Sequence, residues 1–272
     1  MPHRCCDDGA AVSTPPPPSI RAAYDASAQA WAAGPASAYA ALAEALVGAS
    51  PLLVRGARVL DLGAGTGVAA VAASRAGASW LVGVDLADAM LRLGTGWDAR
   101  TVAAAEALPF HDGSFDLVVA AFCLNHLPDP GAALVEVRRV AAAILASAFV
   151  RGWTHPAKAI VDSVAASYGF AVPSWYAESK TVAGDGVEDP TLLEALARSA
   201  GFTGVRVTTE DVDTGLSAPS ELTAWRLGMA HLAPFVAALD AEDQARLRLD
   251  CETALASAPP LVVPMLVLAA SG

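Results

Sequence analysis

Lysine is almost missing from this sequence of 272 residues: only Lys158 and Lys180 occur, and 17 basic side chains face 28 acidic ones for a formal net charge of -11. The arginines are scattered and make no continuous basic stripe for a phosphate backbone to follow, so no nucleic-acid partner is expected. Long apolar runs are missing too. The best, Val140 to Val150 and Leu261 to Ala270 with Pro264 inside it, fall short of the roughly 18 residues a membrane helix needs, and both read as buried strands. No apolar stretch accompanies Cys5-Cys6-Asp7-Asp8 to make a secretory signal, so a cytoplasmic protein without membrane contact is expected. Cysteine is scarce: Cys5, Cys6, Cys123 and Cys251 give neither a disulfide framework nor a C-x-x-C pair, no two histidines show ligand spacing, and no metal is expected. What the chain has in abundance is apolar side chain, 54% against 17% charged, which excludes global disorder and implies a large core.

Residues 1–19 end in Ser13-Thr14 and Pro15 to Pro18, a composition that favours extended polyproline over packing, so a disordered tail precedes one domain over 20–272. Tyr24, Trp31, Tyr39, Leu42, Leu46 and Val47 recur at helical spacing, with Gly34-Pro35 as a break and Gly48 near the end, which predicts two N-terminal helices. Short apolar runs then alternate with helical stretches. Strands are expected at 58–61, 79–84, 101–104, 115–121 and 143–150, with helices at 66–76, 87–93 and 131–140. That alternation is the mark of a doubly wound, mostly parallel α/β sheet. Further on, helices are expected at 157–168, 191–200, 219–232 and 241–257, and strands at 204–212 and 261–268.

Val59-Leu60-Asp61-Leu62-Gly63-Ala64-Gly65-Thr66-Gly67 runs a strand into a turn with glycines at alternate positions and then into a helix. Such glycines permit positive φ and let a ligand approach the backbone at a helix N-terminus. Asp85 ends the second strand eighteen residues after Gly67, and a doubly wound sheet sets its carboxylate beside that loop, where it suits two ribose hydroxyls. Taken alone, Gly65-Thr66-Gly67-Val68-Ala69-Ala70 also fits the dinucleotide pattern G-x-G-x-x-A.

With these stand Val84-Asp85, Ala105-Glu106-Ala107-Leu108-Pro109-Phe110, Asp112-Gly113-Ser114-Phe115-Asp116 and Leu124-Asn125-His126-Leu127-Pro128-Asp129-Pro130. Together they resemble class I S-adenosylmethionine-dependent methyltransferases, in the group similar to the ubiquinone/menaquinone biosynthesis enzymes. The resemblance is close over about 59–140, and Asp61 favours it over a nicotinamide or flavin fold. It implies S-adenosyl-L-methionine as cofactor, with Asp61 heading the loop and Gly63, Gly65 and Gly67 beside the methionine part. Asp85 would hold the ribose, Leu86, Ala105 and Glu106 would flank the adenine, and Phe122 to Asn125 would floor the methyl site. It also implies a seven-stranded Rossmann-like sheet with the last strand antiparallel between the fifth and sixth. Two departures stand out: Ala104 occupies a position where many relatives carry an aspartate for the adenine amino group, and no glycine or proline separates helix from strand over 138–144.

His126 and His155 are candidate general bases, an imidazole titrating near neutrality; for His126 the alternative is a histidine that holds its loop by hydrogen bonding. His3, His111 and His231 are assigned to surface or packing. Tyr24 and Trp31 fall on a helix that in relatives covers the cofactor, and their faces suit a sulfonium cation. Trp31, Trp153, Trp175, Tyr176 and Trp225 are candidate walls of an apolar substrate pocket, closed by lid elements at about 151–189 and 216–258. The reading is methyl transfer to a small, largely apolar acceptor of secondary or quinone-like metabolism, by a monomer or homodimer. The alternatives are a methyltransferase-fold enzyme doing a non-methylating cyclisation or rearrangement, and a cofactor-free scaffold.

Overall fold

A computed structural model describes residues 19–177 and 184–272. The tail expected up to residue 19 and part of the 151–189 lid therefore lie outside the described residues, Ser19 excepted. The chain opens with α1 (Ile20–Ala33) and α2 (Pro35–Gly48), divided at Gly34 as the sequence implies. There follow β1 (Arg58–Leu62), α3 (Val68–Arg75), β2 (Trp80–Asp85), α4 (Asp88–Leu93), β3 (Ala99–Val102), β4 (Leu117–Ala121), α5 (Pro130–Val140) and β5 (Ala143–Phe149). The remainder comprises α6 (Pro156–Ser167), a turn at Gly184–Val187, α7 (Pro190–Ser199), β6 (Gly204–Asp213), α8 (Pro219–Leu227), α9 (Ala233–Ala238), α10 (Ala241–Ala254) and β7 (Val262–Ser271).

The seven strands form one sheet in the order β3-β2-β1-β4-β5-β7-β6. The first five are parallel; β7 runs antiparallel to both β5 and β6, between them. Alternation along each strand splits the core in two. Val59, Leu117, Val119 and Leu145 face α2 and α3, whereas Leu60, Val118, Ile144 and Leu268 face α5 and α7. A parallel sheet covered on both faces needs this near-continuous apolar run in every central strand. Pro264 is tolerated within β7 because the β5 ladder ends at the pair Phe149–Met265, so on that side no strand remains to demand its missing N–H.

Several boundaries differ from expectation by two or three residues, among them the start of the fourth strand, the end of the last helix and the end of the last strand. The third strand begins two residues early: it is an exposed edge, paired Val82–Ala99 through Asp85–Val102, and its residues carry no burial pattern to set a register by eye. The helix expected over 219–232 stops five residues early, at Leu227 with Gly228 as its C-cap, and a separate helix begins at Ala233. The helix-to-strand passage without glycine works because the last carbonyls of α5 are capped from elsewhere: Gly113 N–H donates to Arg139 O and Phe115 N–H to Val140 O, both at 3.0 Å. Ala141 then turns directly into extended backbone. Among the described residues no helix is long and apolar enough to cross a membrane.

Candidate functional site

The carboxyl ends of β1, β2 and β4 open into a cleft roofed by α1, the place where parallel strands diverge in a doubly wound sheet. It encloses about 950 Å3 free of protein atoms, its mouth included, and is mainly apolar. Of the residues singled out in the sequence, Tyr24, Trp31, Gly63, Gly65, Asp85, Leu86, Ala105, Phe122 and His126 line it.

The turn after β1 owes its shape to its glycines. Gly65 adopts φ +52°, and a side-chain carbon built there would meet nothing within 4 Å, so the backbone is bare toward the cleft. Gly67 has a different duty. At φ +85° its missing Cβ would lie 1.9 Å from Thr95 O and 2.7 Å from the Trp97 ring, so it lets the 94–97 segment close onto the start of α3. Gly67 does not line the cleft. Nor do most loop N–H groups reach it: those of Gly63 and Ala64 both donate to Val84 O, at 2.8 and 3.0 Å.

Asp85 is tied at both oxygens, Oδ2 accepting Gly65 N–H and Oδ1 accepting Ala87 N–H, each at 2.8 Å. Burial raises its carboxyl above the ordinary range, while those N–H donors pull it back. Asp61 is turned the other way. It is 1% exposed, its Oδ2 accepts Ala70 N–H at 2.9 Å, and burial pushes its carboxyl up to about 7. It pins α3 to β1 rather than facing the cleft.

At the floor, Phe122 holds φ +53°, the one non-glycine residue with positive φ among those described, and its N–H donates to Ser147 O at 3.1 Å. Such a conformation costs on the order of 1–3 kcal/mol and is stored where a side chain must be aimed. Its ring meets Tyr39 edge-on at 5.5 Å, and Tyr39 meets Trp31 at 4.9 Å. Across from them Tyr24 Oη lies 3.4 Å from His126 Nε2. Burial lifts the Tyr24 phenol well above its usual range, and burial likewise raises Tyr39 and the Cys123 thiol, so all three stay protonated.

Several expected site residues are elsewhere. His155 is an N-cap: its Nδ1 accepts Ala157 N–H at 3.2 Å while Nε2 faces Pro260 O at 3.3 Å, which commits both ring nitrogens at the start of α6. It does not line the cleft, and burial lowers its basicity. Trp225 is core, 4% exposed and edge-on to His155. Trp153 stacks on Phe149 at 5.2 Å with Lys158 Nζ 3.7 Å above its ring, and Tyr176 stacks on His231 at 3.9 Å beside Trp175; none of these lines the cleft. Asn125 and Glu106 also sit behind the wall, each with a buried oxygen that has no hydrogen-bond partner among the described residues; Thr66 Oγ1, on the cleft itself, is a third. Of the three, Thr66 Oγ1 is the one a polar ligand in the cleft could complete. Sequence reasoning passed over Arg21, Tyr39 and Met90 as lining residues, and Trp97 as the ring that explains Gly67. Tyr39 carried a signal, its helical spacing from Trp31; the others carried none.

Residues 60–143 match a family described as methyltransferase domain. The demethylmenaquinone methyltransferase of Mycolicibacterium vanbaalenii is 44% identical over 84 residues, 30% of this chain and 36% of that protein, so the match spans little more than a third of the relative's length. Among solved structures, Haemonchus contortus phosphoethanolamine N-methyltransferase 2 in complex with S-adenosyl-L-methionine is similar at TM-score 0.52 and 18% identity, over 85% of this chain and 52% of that one. The methyltransferase solved with the Haloferax volcanii Trm112 methyltransferase activator is similar at TM-score 0.53 and 16% identity, over 93% of this chain and 97% of that one. At such identities these two bear on the fold alone. Residues 60–143, which build three of the cleft's strand ends, are thus similar to a methyltransferase domain and, over that segment, to demethylmenaquinone methyltransferase.

Proposed function

We propose that the protein transfers a methyl group from S-adenosylmethionine to a small, largely apolar acceptor, of quinone-like or secondary-metabolite type. One observation carries this reading: Asp85, fixed at both oxygens, ends β2 in a cleft whose neighbouring wall is the bare turn at Gly65. A carboxylate held so beside exposed backbone fits a vicinal diol and an adjoining zwitterionic chain. In this reading Asp85 receives the ribose, Leu86 and Ala105 flank the adenine, and Gly63 and Gly65 border the methionine part. Thr66 offers its orphaned hydroxyl from the same turn, while Asp61 and Gly67 hold the turn in shape.

The cofactor supplies an electrophilic methyl group, so the protein's task is alignment and exclusion of water. Phe122, Tyr39, Trp31 and Tyr24 present aromatic edges and faces where a sulfonium would rest, a favourable setting for a cation out of water. A small-molecule acceptor suits a cleft with one arginine, Arg21, in a chain of net charge -11. The quinone-like assignment draws on the relatives' names and on the apolar lining.

Calorimetric titration with S-adenosylmethionine and S-adenosylhomocysteine tests the reading. Wild type is expected to bind both at micromolar concentration, and Asp85→Asn to weaken binding by about tenfold or more through loss of charge-assisted hydrogen bonds. No binding by wild type would sink it.

A further inference from the structure

Tyr24 belongs to the roof of the cleft and His126 to its floor, yet the two side chains meet. The hydroxyl lies 3.4 Å from Nε2, the rings sit edge to face at 5.8 Å, and both line the cleft. The contact is held from three sides. Asp25, next to Tyr24, accepts Ala89 N–H at 2.9 Å and so anchors α1 to α4. Trp31 braces the Tyr24 ring edge-on at 5.6 Å. His126 closes a single helical turn after β4, where its own N–H donates to Cys123 O at 2.9 Å. A phenol and an imidazole brought together by two separate elements at the mouth of a ligand cleft are more than packing requires, since Leu127 and Met90 already supply apolar wall there.

Resting on the methyl-transfer reading above, we propose that Tyr24 and His126 form a proton relay, assembled only when α1 is docked, and that the acceptor therefore bears an ionisable hydroxyl, a phenol or enol. The acceptor hydroxyl gives its proton to Tyr24 Oη as Tyr24 passes its own to His126 Nε2. A lone pair of the acceptor oxygen forms the O–CH3 bond, and the electron pair of the broken S–CH3 bond stays on sulfur as a neutral thioether. The positive charge lost at sulfur reappears on the imidazolium, so charge and atoms balance. Groups facing the pair are Asp85 from β2, Tyr39 from α2, Tyr176 and Cys123, with Arg21 one turn before Tyr24 on the same cleft. None of the four acidic groups is positioned between the hydroxyl and Nε2.

The relay requires Nε2 to be the accepting nitrogen, so the neutral His126 ring must carry its proton on Nδ1, the tautomer that free histidine disfavours. Nitrogen NMR of the full chain labelled at histidine reads this with neither cofactor nor acceptor present, His126→Gln supplying the assignment. His155 is the internal reference, because its contacts demand the opposite tautomer. Expected is an Nδ1-protonated His126 in wild type that reverts toward Nε2–H in Tyr24→Phe. An Nε2–H ring in wild type, or a tautomer indifferent to Tyr24→Phe, overturns the relay. S-adenosylhomocysteine is then titrated into the same samples, where affinities equal within about threefold support a role in proton transfer and not in holding the cofactor. Absence of that binding in wild type would instead overturn the methyl-transfer reading, whatever the tautomer.

Discussion

Asp61 shows how much one buried carboxyl can do outside the chemistry. An acid at the end of β1 was legible as part of the loop signature, but its direction was not: whether it faces ligand or helix depends on where α3 lands, and Ala70 N–H claims it. Its folded value of about 7 stands above the ordinary 3.8 because burial disfavours the charge. Between those values the folded state keeps a proton that the unfolded chain has lost. Asp61 therefore adds stability that is complete below about pH 4 and is gone above about pH 7, worth on the order of 4 kcal/mol. Asp61→Asn keeps an acceptor for Ala70 N–H and removes the titration. Urea unfolding of both proteins across pH 4 to 8 should show the variant gaining on wild type as pH rises; a constant difference would contradict the assignment. His155 and Trp225 were misplaced by sequence for a related reason. A cap and a core ring declare themselves only through partners such as Pro260, 105 residues away from His155.

At the level of elements, the strand and helix order was largely legible, because apolar runs and glycine breaks are local signals. Hidden were the features set by neighbours, such as the edge register of β3 and the capping of α5 by the 113–115 loop. The docking of α1 is another. Its apolar side predicts a helix against the body, but the Asp25 cap on α4 joins residues 64 apart. Removing one part-buried cap costs about 1 kcal/mol, close to a fivefold change in a local opening equilibrium. Asp25→Ala is expected to speed hydrogen exchange of α1 amides by about that factor while amides of β1 and β4 keep their rates. Equal exchange in α1 would mean that its packing on α2 and α9 alone holds it.

Over the whole molecule, the C-terminal third is fastened by polar and sheet contacts between distant segments. β7 pairs with β5, which β4 also holds, and is the sole partner of β6 among the described strands, so the last ten-residue strand decides whether that edge of the sheet forms. Under the same end, Arg226 of α8 is 4% exposed and gripped by Asp162 of α6 through Nε at 2.8 Å and a second nitrogen at 2.6 Å. Asp162→Ala would leave that guanidinium buried without its counter-charge and should lower the unfolding free energy by about 3 kcal/mol, the lower end of the range because Asp162 is partly exposed. Adding Arg226→Met should recover most of the loss; a double variant no better than the single one would show that the pair is not the source.

The backward twist at Phe122 has a meaning for the layout of the two half-cores. Residues 117, 119 and 121 of β4 look toward α2 and α3, and 118 and 120 toward α5, so a strand continued by one more step would send residue 122 to the α5 side. Its positive φ reverses the count, and the ring arrives on the α2 side, against Tyr39. The aromatic part of the cleft floor thus comes from a residue that breaks the parity of its strand. A β-branched residue, which cannot hold that conformation, would restore the parity and carry its side chain to the far half-core, leaving the cleft open at the bottom.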